Sequence, residues 1–348
     1  MRHPARTLCA LAAILVTLAA PGCSTLGYYV QAARGQWHMM RAARPIDDWL
    51  SDSRTPEDLR QRLQTVREIR VFASRDLALP DNSSYRNYAD LGRPFAVWNV
   101  VAAPEFSTRP RQWCFPVAGC VSYKGWFDGT KAEDAARRLR AEGFDVLVYG
   151  VPAYSTLGWF ADPVLNTYVR YPRAELARLV FHELAHQVAY LGGDSTFNES
   201  FATSVEMEGV RRWLGREGGS AERAEFEAMS RRRADFLALI AETRDELDKL
   251  YGLSLADSEK RRRKEEVLDR LQERYRGLRA RWNGFSGYDR WFAQPLSNAH
   301  VASVSTYTDL VSAFDRLRER FEGDLPAFYA EVRRLAALGR AEREAALR

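Results

Sequence analysis

The spacing of apolar residues predicts several helices before any other feature of the sequence is considered. Apolar side chains recur every three or four positions from Leu59 to Ile69, which is typical of the buried face of a helix. Pro56 stands where the first turn of this helix is expected. The same periodicity predicts a helix over residues 173–191 and another over residues 198–214, for which Asn198 is a suitable N-cap.

The region before residue 173 also contains predicted strands. Residues 95–102 and 145–151 are rich in β-branched and aromatic side chains, which favours buried strands. Residues 130–142 between them have helical spacing, and residues 154–160 form a further stretch with an extended pattern. Strands and helices therefore mix in the first half of the chain, whereas the second half is predicted to be helical.

A charge-dense region at about residues 220–283 has apolar residues at helical spacing on either side of a break at residues 252–258. It predicts two long antiparallel helices, a hairpin that either projects from the body or packs on it. Residues 306–321 and 325–338 predict two more helices. The expected class is α+β and mostly helical, with a small sheet and an inserted long helical hairpin.

Composition limits the classes of protein to which the chain can belong. Its 348 residues are 46% hydrophobic and 28% charged, which indicates a globular protein with a sizeable core. The formal net charge is +5, but acidic side chains are interleaved with the arginines along nearly the whole chain. A one-sided basic face is missing from this pattern, which argues against a nucleic-acid partner.

The first residues have the organisation of an export signal. Arg2 and Arg6 precede an apolar run over residues 8–20, which is short for a membrane span, and small residues follow it. The sequence around Cys23 resembles the bacterial lipoprotein box, which implies cleavage after residue 22 and lipidation of Cys23. The other interpretation is an ordinary cleaved signal followed by an unmodified cysteine.

These features predict three segments and a location. Residues 1–22 are the expected signal peptide of lipoprotein type, residues 23–54 a tether with an N-terminal helix, and residues 55–348 one domain that includes the hairpin. A lipid on Cys23 would anchor the protein to the membrane, on the periplasmic side of a bacterial cell envelope. Ser24 slightly favours the outer membrane, because it is not the aspartate associated with inner-membrane retention.

Two cysteines remain for the exported domain. Cys114 and Cys120 are six residues apart, and an oxidising compartment favours a short-loop disulfide between them. A pair of buried thiols is the alternative.

One five-residue motif carries most of the chemistry. His182 and His186 are four residues apart on a predicted helix, so both imidazoles lie on one face and together can bind one Zn²⁺. A bound zinc lowers the pKa of its water toward about 7. Glu183 is placed to take a proton from this metal-activated water and to pass it to a leaving amine.

A catalytic zinc site needs a third protein ligand. No histidine follows the motif at short distance, and the acidic candidates are Asp194, Glu199 and Glu206. Glu206 lies seven residues after Glu199, which is close to two helical turns, so both face the same side. The residue types alone leave this choice open.

The segments His182-Glu183-Leu184-Ala185-His186 and Asn198-Glu199-Ser200-Phe201-Ala202 together resemble the gluzincin class of metallopeptidases. In that class the third ligand is a glutamate on the next helix, which implies Glu199 here. Glu206 is then expected to orient a histidine ligand or to bind the amine of a substrate. The gap between His186 and Glu199 is shorter than in thermolysin-like enzymes, so a tight turn is expected between the helices.

Longer stretches resemble a group of bacterial lipoproteins described as predicted aminopeptidases. The stretches that carry this resemblance are Gly27-Tyr28-Tyr29, residues 114–127, residues 153–160, Asp162-Pro163, the motif helix and residues 298–307. The resemblance implies a peptidase with a peptide or protein substrate.

A donor to the developing oxyanion should come from outside the two metal helices. Tyr154 in the extended stretch and Tyr307, which follows His300 in a late polar segment, are the candidates. Residues 154–160 are also expected to be an edge strand to which a peptide substrate could add.

The sequence therefore predicts a zinc-dependent peptidase of the cell envelope, of aminopeptidase type. Two alternatives remain open at this point. One is an envelope endopeptidase with the same metal site. The other is a lipid-anchored interaction module that uses the helical hairpin as its binding surface.

Overall fold

The computed structural model describes residues 26–115, 119–304 and 310–347. The predicted signal peptide, Cys23 and Tyr307 lie outside the described residues. The helices of the described chain are α1 (26–42), α2 (Ile46–Ser51), α3 (Glu57–Arg75), α4 (Gly129–Ala141), α5 (Arg173–Val188), α6 (Ser195–Glu217), α7 (Ser220–Tyr251), α8 (Asp257–Arg281), α9 (Asp289–Phe292), α10 (Asn298–Val304), α11 (Val311–Glu319), α12 (Leu325–Ala336) and α13 (Arg340–Ala346).

The strands of the described chain are β1 (Arg44–Pro45), β2 (Asn87–Ala89), β3 (Val97–Pro104), β4 (Trp113–Phe115), β5 (Gly119–Val121), β6 (Lys124–Trp126), β7 (Phe144–Val151) and β8 (Val164–Leu165). Six of these described strands have only two or three residues, whereas β3 and β7 have eight each. The mostly helical α+β class predicted from the sequence is confirmed. No helix among the described residues is long and apolar enough to cross a membrane.

The main sheet has the order β6-β3-β7, with antiparallel pairing throughout. Because side chains alternate along a strand, the two faces of β3 enter different cores. Val100 packs with Ala132 and Ala136 of α4, whereas Val101 packs with Ala299 and other residues of α10. The sheet is therefore covered by one helix on each face.

The largest core lies among helices whose apolar faces the periodicity of the sequence predicts. These are chiefly α3, α5, α6, α11 and α12. Phe72 of α3 contacts the rings of Phe181 on α5 and Trp213 on α6. Gly209 allows α5 and α6 to pack closely, since a Cβ atom there would lie 2.7 Å from the ring of Phe181. The two helices of the predicted metal site are thus fixed from behind by a continuous apolar core.

Helices α7 and α8 form the predicted long hairpin, and it packs on the body. Its own apolar core includes side chains of α9 and α10. Lys264 lies 2.6 Å from Asp145 at the start of β7, and the hydroxyl of Thr108 donates to Asp248 at 2.6 Å. The sequence left open whether the hairpin projects from the body or packs on it, and in the structure it packs on the body.

The expected edge strand at residues 154–160 is wrong, because this stretch forms a loop with a turn. The carboxylate of Asp162 accepts from the backbone nitrogen of Thr156 at 2.8 Å and from its hydroxyl at 2.9 Å. Leu157 and Gly158 have positive φ values of 56° and 83°. These local bonds compete with strand pairing and hold the segment as a compact loop.

Candidate metal centre

Two adjacent helices bring three candidate ligands together. His182 and His186 lie one turn apart on α5, with their Nε2 atoms 3.1 Å from each other. Glu199 on α6 faces both rings, with Oε2 3.3 Å from Nε2 of His182 and Oε1 3.7 Å from Nε2 of His186. The ligand atoms of these three residues all lie within 4.8 Å of one another.

The donor set fits a zinc ion. Tetrahedral Zn²⁺ binds imidazole nitrogen at about 2.0–2.1 Å, which separates two such nitrogens by about 3.3 Å. The observed separation of 3.1 Å between the two Nε2 atoms is close to this value. Two imidazoles and one carboxylate also leave a coordination position for water or substrate, as catalytic zinc sites do.

The electrostatics of the site also favour a cation. Burial opposes a positive charge on His182, but Glu206 and Glu199 outweigh burial and raise its pKa to about 10. Burial and the neighbouring His182 lower the pKa of His186 to about 4, so the two rings hold one positive charge between them, which a metal ion would replace. The two carboxylates thus create a buried place where a positive charge is stable.

A short turn sets the position of Glu199 relative to the histidines. The predicted N-cap of α6, Asn198, is wrong, because the helix begins at Ser195 and Asp194 caps it through a 3.0 Å bond to the backbone nitrogen of Phe197. The Asn198 amide instead closes the turn by accepting from the nitrogen of Leu191 at 2.7 Å and donating to its oxygen at 2.8 Å. The tight turn implied by the short gap is therefore present.

The disulfide hairpin packs against this turn. Cys114 and Cys120 are joined, as predicted, across the paired strands β4 and β5. Gly119 has a φ of +72°, and a Cβ atom there would lie 2.5 Å from the backbone nitrogen of Gly193. Only glycine fits both this conformation and this approach, so the hairpin supports the segment that leads from the histidines to Glu199.

Glu206 lies on the side of His182 opposite the two other candidate ligands. Its Oε2 atom is 2.7 Å from Nδ1 of His182, and the side chain is fully buried. Arg178 donates to its Oε1 atom at 3.0 Å, and Arg233 approaches to 3.7 Å. Burial alone would raise the pKa of Glu206, but Arg178 and His182 outweigh it and lower the pKa to about 2. This position favours orientation of a ligand over contact with a substrate amine.

Glu183 points to a separate group of polar side chains. Burial is the main cause that raises its pKa to about 7, while His182 opposes the shift and a hydrogen bond from Ser155 lowers the pKa. Asp162 also contributes to the shift, and its own carboxylate lies 3.4 Å from the hydroxyl of Ser155. A carboxyl group with a pKa near 7 can exchange a proton readily at neutral pH.

Several tyrosines that residue spacing did not identify surround the site. Burial and then Glu199 raise the pKa of Tyr123 far above its ordinary value, and Glu183 adds to the same shift. Tyr85 is buried near Glu183 and has a φ of +63°, a conformation that is rare for an aromatic residue. The one sequence signal for Tyr123 is its position three residues after Cys120.

The tyrosines proposed from the sequence have other surroundings. Tyr154 packs its ring on Phe127, with centroids 5.2 Å apart, and is about one-third exposed. None of the contacts described for it joins it to the three candidate ligands. His300 is buried on α10 beside Trp291.

The site therefore consists of two helices that present two imidazoles and a carboxylate to one position that could hold a metal ion, with a carboxyl group beside it. The chain is a member of the family described as "Putative aminopeptidase", whose model matches residues 27–347. This membership indicates a peptidase that acts on peptide substrates. No curated protein and no solved structure shows significant similarity to the chain.

Proposed function

We propose that the protein is a zinc-dependent peptidase of gluzincin type, and that His182, His186 and Glu199 bind the metal. The observation that carries the proposal is the approach of these three side chains within 4.8 Å, with separations that suit tetrahedral zinc. Membership of the aminopeptidase family supports peptide-bond hydrolysis independently of this geometry.

Glu183 is the proposed general base and then general acid. Zinc, when bound, supplies a Lewis acid that makes water nucleophilic near neutral pH and polarises the scissile carbonyl. Glu183 accepts the proton of the attacking water and donates it to the leaving amine. Its pKa of about 7 suits both directions of transfer.

Tyr123 is the proposed donor to the oxygen that gains negative charge. Its phenol is protonated at neutral pH and can donate a hydrogen bond to a developing negative charge. The carboxylates that raise the pKa of Tyr123, Glu199 and Glu183, are the groups that define the reaction site. Tyr123 therefore has better support for this role than Tyr154.

The metal assignment is tested by zinc analysis of the purified protein beside single variants. Glu199→Ala should lose bound zinc, whereas Glu217→Ala should keep it, because Glu217 is the last residue of the same helix and its carboxylate pairs with Arg216. Glu183→Gln should keep zinc and lose peptide hydrolysis. Full zinc content in Glu199→Ala would remove Glu199 from the ligand set.

The aminopeptidase mode is tested with matched peptides. A free N-terminal peptide should be cleaved and its N-acetylated form should not, since an exopeptidase must bind the free amine. Equal cleavage of the two peptides would establish the endopeptidase alternative. Normal envelope phenotype in Glu183→Gln, with zinc still bound, would instead support the interaction module.

The envelope location and the lipid anchor on Cys23 are part of the proposal. They are supported by the charged start, the apolar run over residues 8–20 and the small residues before Cys23. Metabolic labelling with an alkyne fatty acid should modify the wild-type protein and leave Cys23→Ser unlabelled. A labelled Cys23→Ser protein, or an unlabelled wild type, would contradict it.

A further inference from the structure

Helix α1 presents an unusual outward face. Its buried side is formed by Gln31 and Met39, which pack toward the domain. Apart from Gly27, the exposed positions recur at helical spacing and are Leu26, Tyr29, Val30, Ala33, Arg34, Trp37, His38 and Arg41. We call these eight side chains the α1 outer face. A solvent-facing helix surface is normally polar, whereas most of this face is apolar or aromatic.

The exposure on this face is large, and the helix itself carries arginines without acidic residues. Leu26 and Trp37 are each 65% exposed. Residues 26–42 contain Arg34 and Arg41 and no aspartate or glutamate. In the rest of the chain acidic side chains accompany the arginines, so this helix differs from the rest of the surface.

A second exposed apolar feature lies beside the helix. In the loop that Asp162 closes, Trp159 is 72% exposed and Phe160 is 54% exposed. Phe127 links this loop to α1, because its backbone nitrogen donates to Gln31 at 3.1 Å and its ring packs on Tyr154. The start of this loop therefore lies beside α1, on the side of the helix that carries Gln31.

We propose that the α1 outer face and the Trp159–Phe160 tip dock on the surface of an anionic phospholipid bilayer. Helices that lie in a membrane interface combine apolar and aromatic side chains with arginine or lysine. Tryptophan and tyrosine are enriched at the level of the lipid headgroups. Arginines without neighbouring acids on the same helix complement anionic headgroups.

The position of the helix favours a bilayer over a protein partner or a second copy of the chain. Leu26 stands three residues after Cys23, the site proposed for lipidation. Three residues span at most about 10 Å, so a lipid at Cys23 would hold the start of α1 at the membrane surface. This step rests on the proposed anchor, but the exposed face and its charge do not.

Docking would also orient the metal centre. Gly158, next to Trp159, lies against the side chain of Gln187, so that a Cβ atom there would be 3.3 Å from it. Gln187 follows the candidate ligand His186 directly in sequence. The loop that touches the bilayer is thus in contact with the helix that carries the histidines.

The test uses the protein purified from bacterial membranes with its processed N-terminus, reconstituted in lipid vesicles. An environment-sensitive NBD label is attached to Trp37→Cys and Trp159→Cys, and to Val71→Cys and Leu253→Cys as controls. The controls replace side chains that are 49% and 47% exposed elsewhere on the surface. Cys114 and Cys120 are joined in the disulfide, which protects them from the label.

The labels at positions 37 and 159 should shift to shorter emission wavelength and be quenched by nitroxide lipids, and those at positions 71 and 253 should not. Both effects should be larger with phosphatidylglycerol vesicles than with phosphatidylcholine alone. Equal emission and quenching at all four positions would overturn the proposal, because it would describe a tethered domain without a docking face. Equal signals in both lipids would overturn the anionic specificity. A shift at position 37 that required a second protein would assign the face to that protein.

Discussion

Oε2 of Glu206 lies 2.7 Å from Nδ1 of His182, on the side of the ring opposite the Nε2 atom that faces His186 and Glu199. A carboxylate in this position fixes the ring orientation and increases the basicity of the nitrogen that binds metal. Arg178 in turn joins Glu206 to Glu175, with contacts of 3.0 Å and 2.8 Å. A partly buried chain of alternating charges therefore supports the first histidine of the motif.

Glu206→Gln is expected to weaken zinc binding by about 10- to 100-fold. Both His182 and Arg178 need an acceptor at this position, and a glutamine side chain has only one accepting end. Glu175→Gln is the matched control, since Glu175 contacts Arg178 and has no described contact with His182. Zinc affinity measured by competition with a chelator should fall in the first variant only. Equal losses in both would mean that the arginine, and not the histidine, transmits the effect.

Tyr123→Phe is expected to lower kcat by about 10²-fold, the usual cost of removing one donor to an oxyanion. Zinc content should not change, because the phenol is not among the proposed ligands. Tyr154→Phe should keep nearly full activity, since the ring packs on Phe127 and the hydroxyl has no described contact with the ligands. Steady-state kinetics on one peptide would compare the three proteins, and a larger loss in Tyr154→Phe would reverse the assignment.

The parts of the site that depend on local spacing could be predicted from the sequence. His182, Glu183 and His186 follow from one helical turn, and Glu199 follows from a resemblance that places a glutamate on the next helix. The sequence indicates that Glu206 orients a histidine ligand or binds a substrate amine, and only its contact with His182 distinguishes these roles. The helical hairpin was also predictable, because its apolar spacing continues over two long segments.

The remaining features depend on contacts between distant segments. Tyr123 reaches the site because a strand pairing and the Gly119–Gly193 approach bring its segment to α5 and α6. The loop at residues 154–160 has the composition of a strand, but the Asp162 carboxylate holds it in a turn. Hydrophobic periodicity reports neither contacts between distant backbone segments nor side-chain hydrogen bonds, so it could not reveal these two features.

Gly119→Ala is expected to destabilise both the fold and the metal site. A left-handed conformation alone costs a non-glycine residue about 1–2 kcal/mol, and here the new methyl group would also displace the backbone of Gly193. Gly143→Ala is the control, because Gly143 has a φ of +86° but open space around its Cβ position. Thermal unfolding should show the larger loss for Gly119→Ala, and only this variant should bind zinc more weakly. Equal losses would mean that the approach of the two turns is unimportant.

Stability should fall in mildly acidic solution because of His300. Burial lowers its pKa from 6.5 to about 4 in the folded protein. Above pH 6.5 the ring is neutral in both states and has no effect. Between about pH 6.5 and 4 the unfolded chain takes up a proton that the folded protein does not, so the free energy of unfolding falls with pH. The loss reaches about 3 kcal/mol and is constant below pH 4.

His300→Leu removes this titration while it keeps an apolar side chain beside Trp291. Urea unfolding of wild type and variant at several pH values between 7 and 4 would measure the free energy of unfolding of each. The difference between the two proteins should change by about 3 kcal/mol over this range in favour of the variant. A difference that is independent of pH would show that His300 is protonated in the folded protein, and that the buried ring has a partner for its charge.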